Sequence, residues 1–264
     1  MIHHVTAIWK FRYFLAALVK LDLQLRYRRS VLGIGWSLLN PIAMTVVFTV
    51  VFSGLLGTTE EYAPYLLTGL AVWAFLRDST VVGCRALLAN EAYIRQNPLP
   101  YGLYTLRTVL GQAIHSMIAL VVALGLVLML RPGLDAALDR LAVLWVILPG
   151  LVLAFLTAWA VATITAFANV YFHDVQHMLE VGAQIMFFAT PIMYGPAQLV
   201  NKGLGWLVNL NPVYLFLQLI RDPILYGTAP AAGLYVSASV LTVVLMGLAV
   251  GTVAWLQKRV IFHL

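Results

Sequence analysis

The chain has 264 residues, of which 62% are hydrophobic and only 10% are charged. Soluble domains are about a quarter charged and about half apolar, so this composition excludes a water-soluble domain and indicates a membrane protein. The formal net charge of +6 does not indicate a nucleic-acid partner, because the basic residues lie beside apolar runs, where membrane topology and anionic lipid account for them. The single cysteine, Cys84, excludes an internal disulfide.

Residues 8–29 are predicted to form an amphipathic helix on the membrane surface. Apolar residues recur there at the three-and-four spacing of one helical face, namely Phe11, Phe14, Leu18, Leu21 and Leu25. Asp22 falls near this face, against the pattern. The helix serves as an anchor or, in the alternative, also guides a substrate or contacts a partner. We expect no signal peptide, because no clean apolar region with a small-residue cleavage site is present.

The first apolar run follows a basic cluster, Arg26, Arg28 and Arg29. A hydrocarbon core about 30 Å thick needs about 20 mostly apolar residues, and residues 32–56 supply them. The arginines place the start of this span on the cytoplasmic side. Asn40 and Pro41 lie within it, and lipid tolerates such residues poorly. This span is therefore expected to pack against protein or to line a pathway.

Five further spans are predicted from the apolar runs. With the first, they cover residues 32–56, 64–82, 103–130, 141–168, 176–194 and 234–256. Residues 196–231 are apolar but are broken at Asn211-Pro212 and Asp222-Pro223, which is typical of re-entrant elements. The predicted fold is a single all-α polytopic domain over 1–264, with six transmembrane helices, an N-terminal interfacial helix and outer re-entrant helices.

Charge distribution orients this topology. Of the 16 Lys and Arg residues, the prediction places outside only Arg131, Arg140, Lys202 and Arg221. The positive-inside rule then puts both termini in the cytoplasm. Residues 85–102 form a polar inner loop, in which Asn97, Pro98 and Pro100 break the helix that precedes them. A short helix before a rigid turn suits a docking element, and a solvated connector is the alternative.

Few side chains carry chemistry. Arg77 and Asp78 are expected to pair or snorkel at the inner end of the second span, and His115 to be a hydrogen-bonded packing residue. His173 and His177 lack the further ligands of a metal site. No G-x-x-x-x-G-K-(S/T) phosphate loop occurs, so we expect the chain to bind no cofactor and ATP and Mg²⁺ to belong to a partner. The absence of a mid-span carboxylate argues against proton-coupled transport and against a membrane glycosyltransferase.

An ordered set of motifs resembles one family. The pattern R-Y-x-x-(S/T)-x-L-G-x-x-W-x-x-L-x-P is carried by Arg26, Tyr27, Ser30, Leu32, Gly33, Trp36, Leu39 and Pro41. It resembles the opening of polysaccharide-export ABC transporter permeases, the membrane subunits that export O-antigen, capsule or teichoic acid. An aromatic fifth span and the outer Asn211-Pro212 element resemble the same family. His173 departs from it, because the family has arginine at that position.

The resemblance implies a function and an assembly. It implies a homodimer bound to two ABC ATPase subunits in the bacterial inner membrane. The homodimer would export a lipid-linked polysaccharide, like the O-antigen of lipopolysaccharide, between the protomers. Predicted pathway residues are Trp36, Phe48, Phe187, Phe188 and Tyr194, since uncharged rings make weak, repeated contacts with sugar faces. Predicted ATPase-coupling residues are Glu91, Tyr93, Arg95 and Asn97. The predicted cytoplasmic entrance comprises Arg26, Tyr27, Arg28 and Arg29, and the predicted outer gate Asn211, Pro212 and Tyr214.

Two alternatives stay open from the sequence. One is an ABC permease for a small amphiphile or lipid. The other is a membrane enzyme that acts on envelope glycans, which would show activity without an ATPase.

Overall fold

The architecture is all-helical over the residues that the computed structural model describes, which are 9–96, 99–130 and 143–264. This confirms the predicted fold class. We number the α-helices in chain order, and their bounds are α1 Arg12–Tyr27, α2 Trp36–Phe52, α3 Thr59–Val81, α4 Glu91–Gln96, α5 Tyr101–Leu130, α6 Ile147–Tyr171, α7 Val175–Ala189, α8 Pro196–Asn201, α9 Gly205–Asn209, α10 Pro212–Tyr226 and α11 Ala232–Leu256.

Among the residues that the structure describes, four helical segments are long and apolar enough to cross a membrane. They are Thr59–Arg85, Tyr101–Leu130, Leu144–Tyr171 and Ala232–Leu256. The other two predicted spans correspond to α2 and α7, with 17 and 15 residues. At about 1.5 Å per residue these cover about 25 and 22 Å, short of a hydrocarbon core of about 30 Å. The chain is a multi-pass membrane protein, and the count of six spans stays a prediction.

Local backbone conformation explains why α2 is shorter than the predicted span 32–56. The helix ends at Phe52, and Gly54 and Gly57 follow with φ of 91° and 147°. Glycine adopts such angles without steric cost, so the chain turns there and starts α3 at Thr59. The predicted span counted apolar residues through this turn.

The helices run between two ends of the bundle. At the end we call basal, α4 packs on the core through Ile94, in a cluster with Tyr104, Phe167 and Val260. At the other end, which we call distal, Tyr65 of α3 contacts the loop 190–195 after α7. The segments around α1, around α4 and after α11 therefore share one end of the molecule.

Small residues allow the central helices to approach closely. Ala154, Ala158 and Ala162 of α6 are buried in the main core. A Cβ on Gly83 would lie 2.7 Å from the Cβ of Ala162, so the segment after α3 needs glycine at this crossing. Small residues are typical of membrane-helix interfaces, where close backbone contact replaces a hydrophobic driving force.

Helix α1 packs differently from the sequence pattern. Its buried side chains are Leu15, Leu18 and Val19, which contact α5. Of the five apolar residues predicted to share one face, Phe14, Leu21 and Leu25 are exposed. The pattern did not distinguish the apolar residues that pack on α5 from those that face outward.

Candidate functional site

Helix α4 presents the predicted coupling residues. Two 3₁₀ turns, Gly83–Arg85 and Leu88–Asn90, precede it and bring the chain away from α3. Ile94 is buried, whereas Tyr93 and Arg95 are exposed. The Arg95 Nε donates to Glu91 Oε1 at 2.7 Å. Three of the four predicted residues thus lie on one short, exposed helix, and Asn97 lies outside the described residues.

An ion pair that the sequence did not reveal joins α5 to α1 beside the start of α4. The Arg107 guanidinium of α5 forms two bonds with the Asp22 carboxylate of α1, one of them from Nε to Oδ2 at 2.6 Å. Its Nη1 donates to Asn90 Oδ1 at 2.7 Å, directly before α4. Asp22 had appeared misplaced on the apolar face of α1. The carboxylate points toward α5, where Arg107 pairs with it.

The predicted entrance residues lie where α1 turns into α2. Arg26, Arg28 and Arg29 are exposed, and Arg29 has φ of 65°, which is uncommon for a residue with a Cβ. Tyr27 instead turns inward, with its hydroxyl 3.2 Å from His115 Nδ1 on α5. The three arginines form a solvent-accessible basic surface, and Tyr27 helps to fix the turn to the bundle.

The predicted pathway aromatics divide between exposed and packed rings. Trp36 on α2 and Phe188 on α7 are exposed. Phe187 packs at a tilt of 52° against Trp73 of α3, with ring centroids 5.7 Å apart, and Phe48 packs against Phe52 at 5.9 Å. Helices α2 and α7 both pack on α3, so the structure brings these aromatics to the two helices that flank α3.

Arg221 is the most unusual residue of the distal end. The sequence placed it on the outer side, in the predicted re-entrant region 196–231, and the structure buries it inside α10, where it is 3% exposed. Its Nη1 and Nη2 donate to the carbonyls of Pro191 and Ile192 at 3.1 and 3.2 Å. The guanidinium also lies over the Tyr65 ring, 3.8 Å from its centroid. Buried charges need such partners, and this one fixes the turn after α7.

Tyr65 and Gly69 of α3 complete this arrangement. The Tyr65 hydroxyl contacts the carbonyls of Pro191 at 3.1 Å and Tyr194 at 2.8 Å. A Cβ on Gly69 would overlap the Arg221 guanidinium. We call Tyr65, Gly69 and Arg221 with the turn 190–194 the distal clamp. Tyr194, predicted as a pathway residue, is held here, and its hydroxyl donates to the Phe188 carbonyl at 2.6 Å.

The predicted gate residues begin α10 beside the clamp. Asn211 is the N-cap, and its side-chain oxygen accepts hydrogen bonds from the amides of Val213 and Tyr214. Its Nδ2 donates to Thr190 Oγ1 at 2.8 Å. Pro212 occupies the first helical position, where its missing N–H is not needed. Asn211 therefore starts α10 and joins it to the end of α7.

The remaining polar candidates form local contacts. Arg77 pairs with Asp78 at 2.9 Å, and His177 lies 3.8 Å from Glu180. Within the described residues, no three His, Cys, Asp or Glu side chains group as a metal site would require.

Comparisons with known proteins cover most of the chain. The family model described as ABC-2 type transporter matches residues 13–225. An O-antigen export system permease protein, RfbA, of Klebsiella pneumoniae is 25% identical over 242 residues, which is 89% of this chain and 90% of the relative. A protein of the same description from Myxococcus xanthus is 28% identical over 218 residues, covering 81% of this chain and 80% of the relative.

Proposed function

We propose, since this chain belongs to the ABC-2 type transporter family, that it is the membrane subunit of an ATP-driven exporter of a lipid-linked cell-envelope polysaccharide. The observation that carries the proposal is similarity to O-antigen export permeases along nearly the full length of both chains. An O-antigen-like glycan is the proposed substrate. Within this family the chain is a transport subunit, not an enzyme.

The proposed assembly is a homodimer with two ABC ATPase subunits in the bacterial inner membrane, with both termini in the cytoplasm. ATP and Mg²⁺ would bind the ATPase subunits. Closure of the ATPases on ATP would move α4, and the glycan would pass between the protomers along the α2 and α7 aromatics. The exposed side of α4 supports this role, because Tyr93 and Arg95 are free of the bundle core.

The first test is a charge exchange on α4. A Glu91→Arg, Arg95→Glu double variant keeps an oppositely charged pair four residues apart, so the helix itself loses little. It reverses the charges offered to a partner, and charges in the wrong order at an interface strongly disfavour binding. We expect the permease to remain folded but to lose co-purification with the ATPase encoded beside it.

The matched control is a Lys258→Glu variant, which changes a charge near the basal end outside α4. Loss of ATPase binding in both variants would point to a general charge effect, and retention in both would remove α4 from the interface. A wild-type chain that purifies without any ATPase partner would overturn the transporter proposal.

A second candidate substrate class is a small amphiphile. It is favoured by a largely apolar groove of about 270 Å³ between α3, α6, α7 and α10, lined by side chains such as Leu76, Val161 and Met186. The test measures export of a fluorescent amphiphile by the complex reconstituted in vesicles and by cells in which polysaccharide synthesis is knocked out. Export in the vesicles, together with unchanged export in the knockout cells, would favour this candidate over the glycan.

A further inference from the structure

A polar cavity lies near the basal end between α1, α2, α3 and α5. Its volume is about 190 Å³, and its lining includes Arg26, Trp36, Asn40, Asp78 and Gln112. The apolar groove described above has a larger volume, but its lining carries few polar side chains. A cavity with this many polar side chains, between helices that are otherwise apolar, is unlike ordinary membrane-helix packing.

Within the part of the chain that the structure describes, two amides that line the cavity make no hydrogen bond to protein. Gln112 is 8% exposed, whereas Asn40 is exposed. Ser116, beside them, donates to the Ala71 carbonyl at 3.2 Å. Buried amides are normally hydrogen-bonded and are costly when they are not. The Gln112 amide is not among the fully buried polar atoms that lack a partner. It therefore opens into the cavity and can bond to a group that enters there.

The donors and acceptors match a neutral, hydroxylated group. An amide both donates and accepts, Arg26 only donates, and the Asp78 carboxylate accepts. Sugar hydroxyls donate and accept, so such a group satisfies all of them. The Asp78 carboxylate would repel a phosphate. The neighbouring cation, Arg77, is already paired with Asp78 at 2.9 Å and is therefore not available to a phosphate.

Size and position narrow the ligand further. Pockets for drug-sized ligands are about 300–1,000 Å³, so about 190 Å³ accommodates one ring-sized unit. The exposed Trp36 ring lies in the lining and offers a flat apolar surface to the C–H face of a sugar. The cavity also adjoins the basic surface formed at the turn from α1 to α2.

We propose that this cavity is a binding subsite for a single neutral sugar residue of the glycan, with Gln112 and Asn40 bonded to its hydroxyls and Trp36 against its ring. The subsite rests on the proposed export function and extends it, because it assigns to each protomer a contact for sugar at the basal end. Asp78 and Arg26 fix the orientation of the sugar.

The test uses the full permease–ATPase complex in lipid nanodiscs. One probe is the polysaccharide released by mild acid from the lipid-linked glycan of the source strain, and the other is the lipid diphosphate carrier without sugar. Gln112→Leu and Asn40→Leu remove the amides without large changes in volume. Each should raise the half-saturating concentration of the released glycan about fivefold to tenfold and leave that of the carrier unchanged.

A matched control and a second readout separate binding from folding. Gln198→Leu makes the same replacement on the exposed surface of α8, outside the cavity lining and away from the proposed pathway helices, and should leave glycan binding unchanged. Gln112→Leu should melt at the wild-type temperature or above, because an unpartnered amide is replaced by an apolar group. A merely structural role for Gln112 would instead lower the melting temperature.

Each other outcome overturns the subsite in a recognisable way. Unchanged glycan binding in both variants means that the cavity holds only water. Weaker binding of the carrier, with the glycan unaffected, means that the cavity recognises the diphosphate. A wild-type complex that binds neither probe overturns the proposed function, and the subsite with it.

Discussion

At Gly69, the absence of a side chain leaves room for the Arg221 guanidinium. A Cβ at this position on α3 would overlap that group. Gly69→Ala should therefore lower the free energy of unfolding by about 1–3 kcal/mol, which is typical of overpacking. The measurement is thermal unfolding of the purified permease in detergent.

The control for this prediction is Gly111→Ala on α5. Nothing lies within 4 Å of a Cβ at Gly111, and alanine is favoured over glycine in a helix by about 1 kcal/mol. This variant should melt at the wild-type temperature or higher. Equal melting of the Gly69→Ala and Gly111→Ala variants would mean that Arg221 readily leaves the distal clamp.

Charged residues mark where sequence reasoning reached its limit. Local pairs such as Arg77–Asp78 follow from adjacency and were predicted. Arg221 was placed on the outer side within the predicted re-entrant region, and nothing in the sequence indicated its partners, which are carbonyls of a turn remote in sequence. Asp22 looked like an exception to the α1 pattern for the same reason, since its partner Arg107 lies on another helix. Long-range partners have no signal in a single sequence.

At the scale of the elements, the ion pair between Asp22 and Arg107 helps to hold α1 against α5. Asp22→Asn should weaken the two bonds between Asp22 and Arg107 and lower the free energy of unfolding by about 1 kcal/mol. The effect is small because the Asp22 side chain is 41% exposed and water screens the pair. Amide hydrogen exchange should then become severalfold faster in α1. Asp174→Asn is the control, because Asp174 makes no capping bond at the start of α7. Faster exchange in neither variant would show that apolar packing alone holds α1.

The elements also show which boundaries the sequence could supply. Apolar length located α5, α6 and α11, because each is a long run without a strong break. It overestimated α2 and α7, where the turn at Gly54 and Gly57 and the turn after Ala189 remove residues from the helix. Residues 196–231 were predicted as re-entrant without bounds, and the structure divides them into α8, α9 and α10. None of these sequence patterns shows how deep in the membrane an element lies.

At the scale of the whole molecule, the proposed dimer brings α2 of one protomer close to α2 of the other but leaves α11 away from the interface. Both expose valines to a similar degree, 76% for Val50 and 71% for Val243. If the glycan passes between protomers along α2, a Val50→Cys variant should form a covalent dimer with a bifunctional maleimide in membranes. Val243→Cys on α11, which packs on α6, should stay monomeric on a denaturing gel. The wild-type chain, in which Cys84 is a buried free cysteine, gives the background level of cross-linking. Cross-linking through Val243 alone would place the dimer interface on the opposite side.

The distal clamp has a consequence for the order in which the protein is assembled during synthesis. Arg221 is made long after Tyr65 and Gly69, and it brings a charge that bare lipid accepts only at high cost. Helix α10 can therefore settle only once α3 and the turn after α7 already offer their ring, space and carbonyls. The burial of Arg221 therefore depends on the correct placement of the earlier helices before α11 follows, because a misplaced α3 would leave the guanidinium without partners.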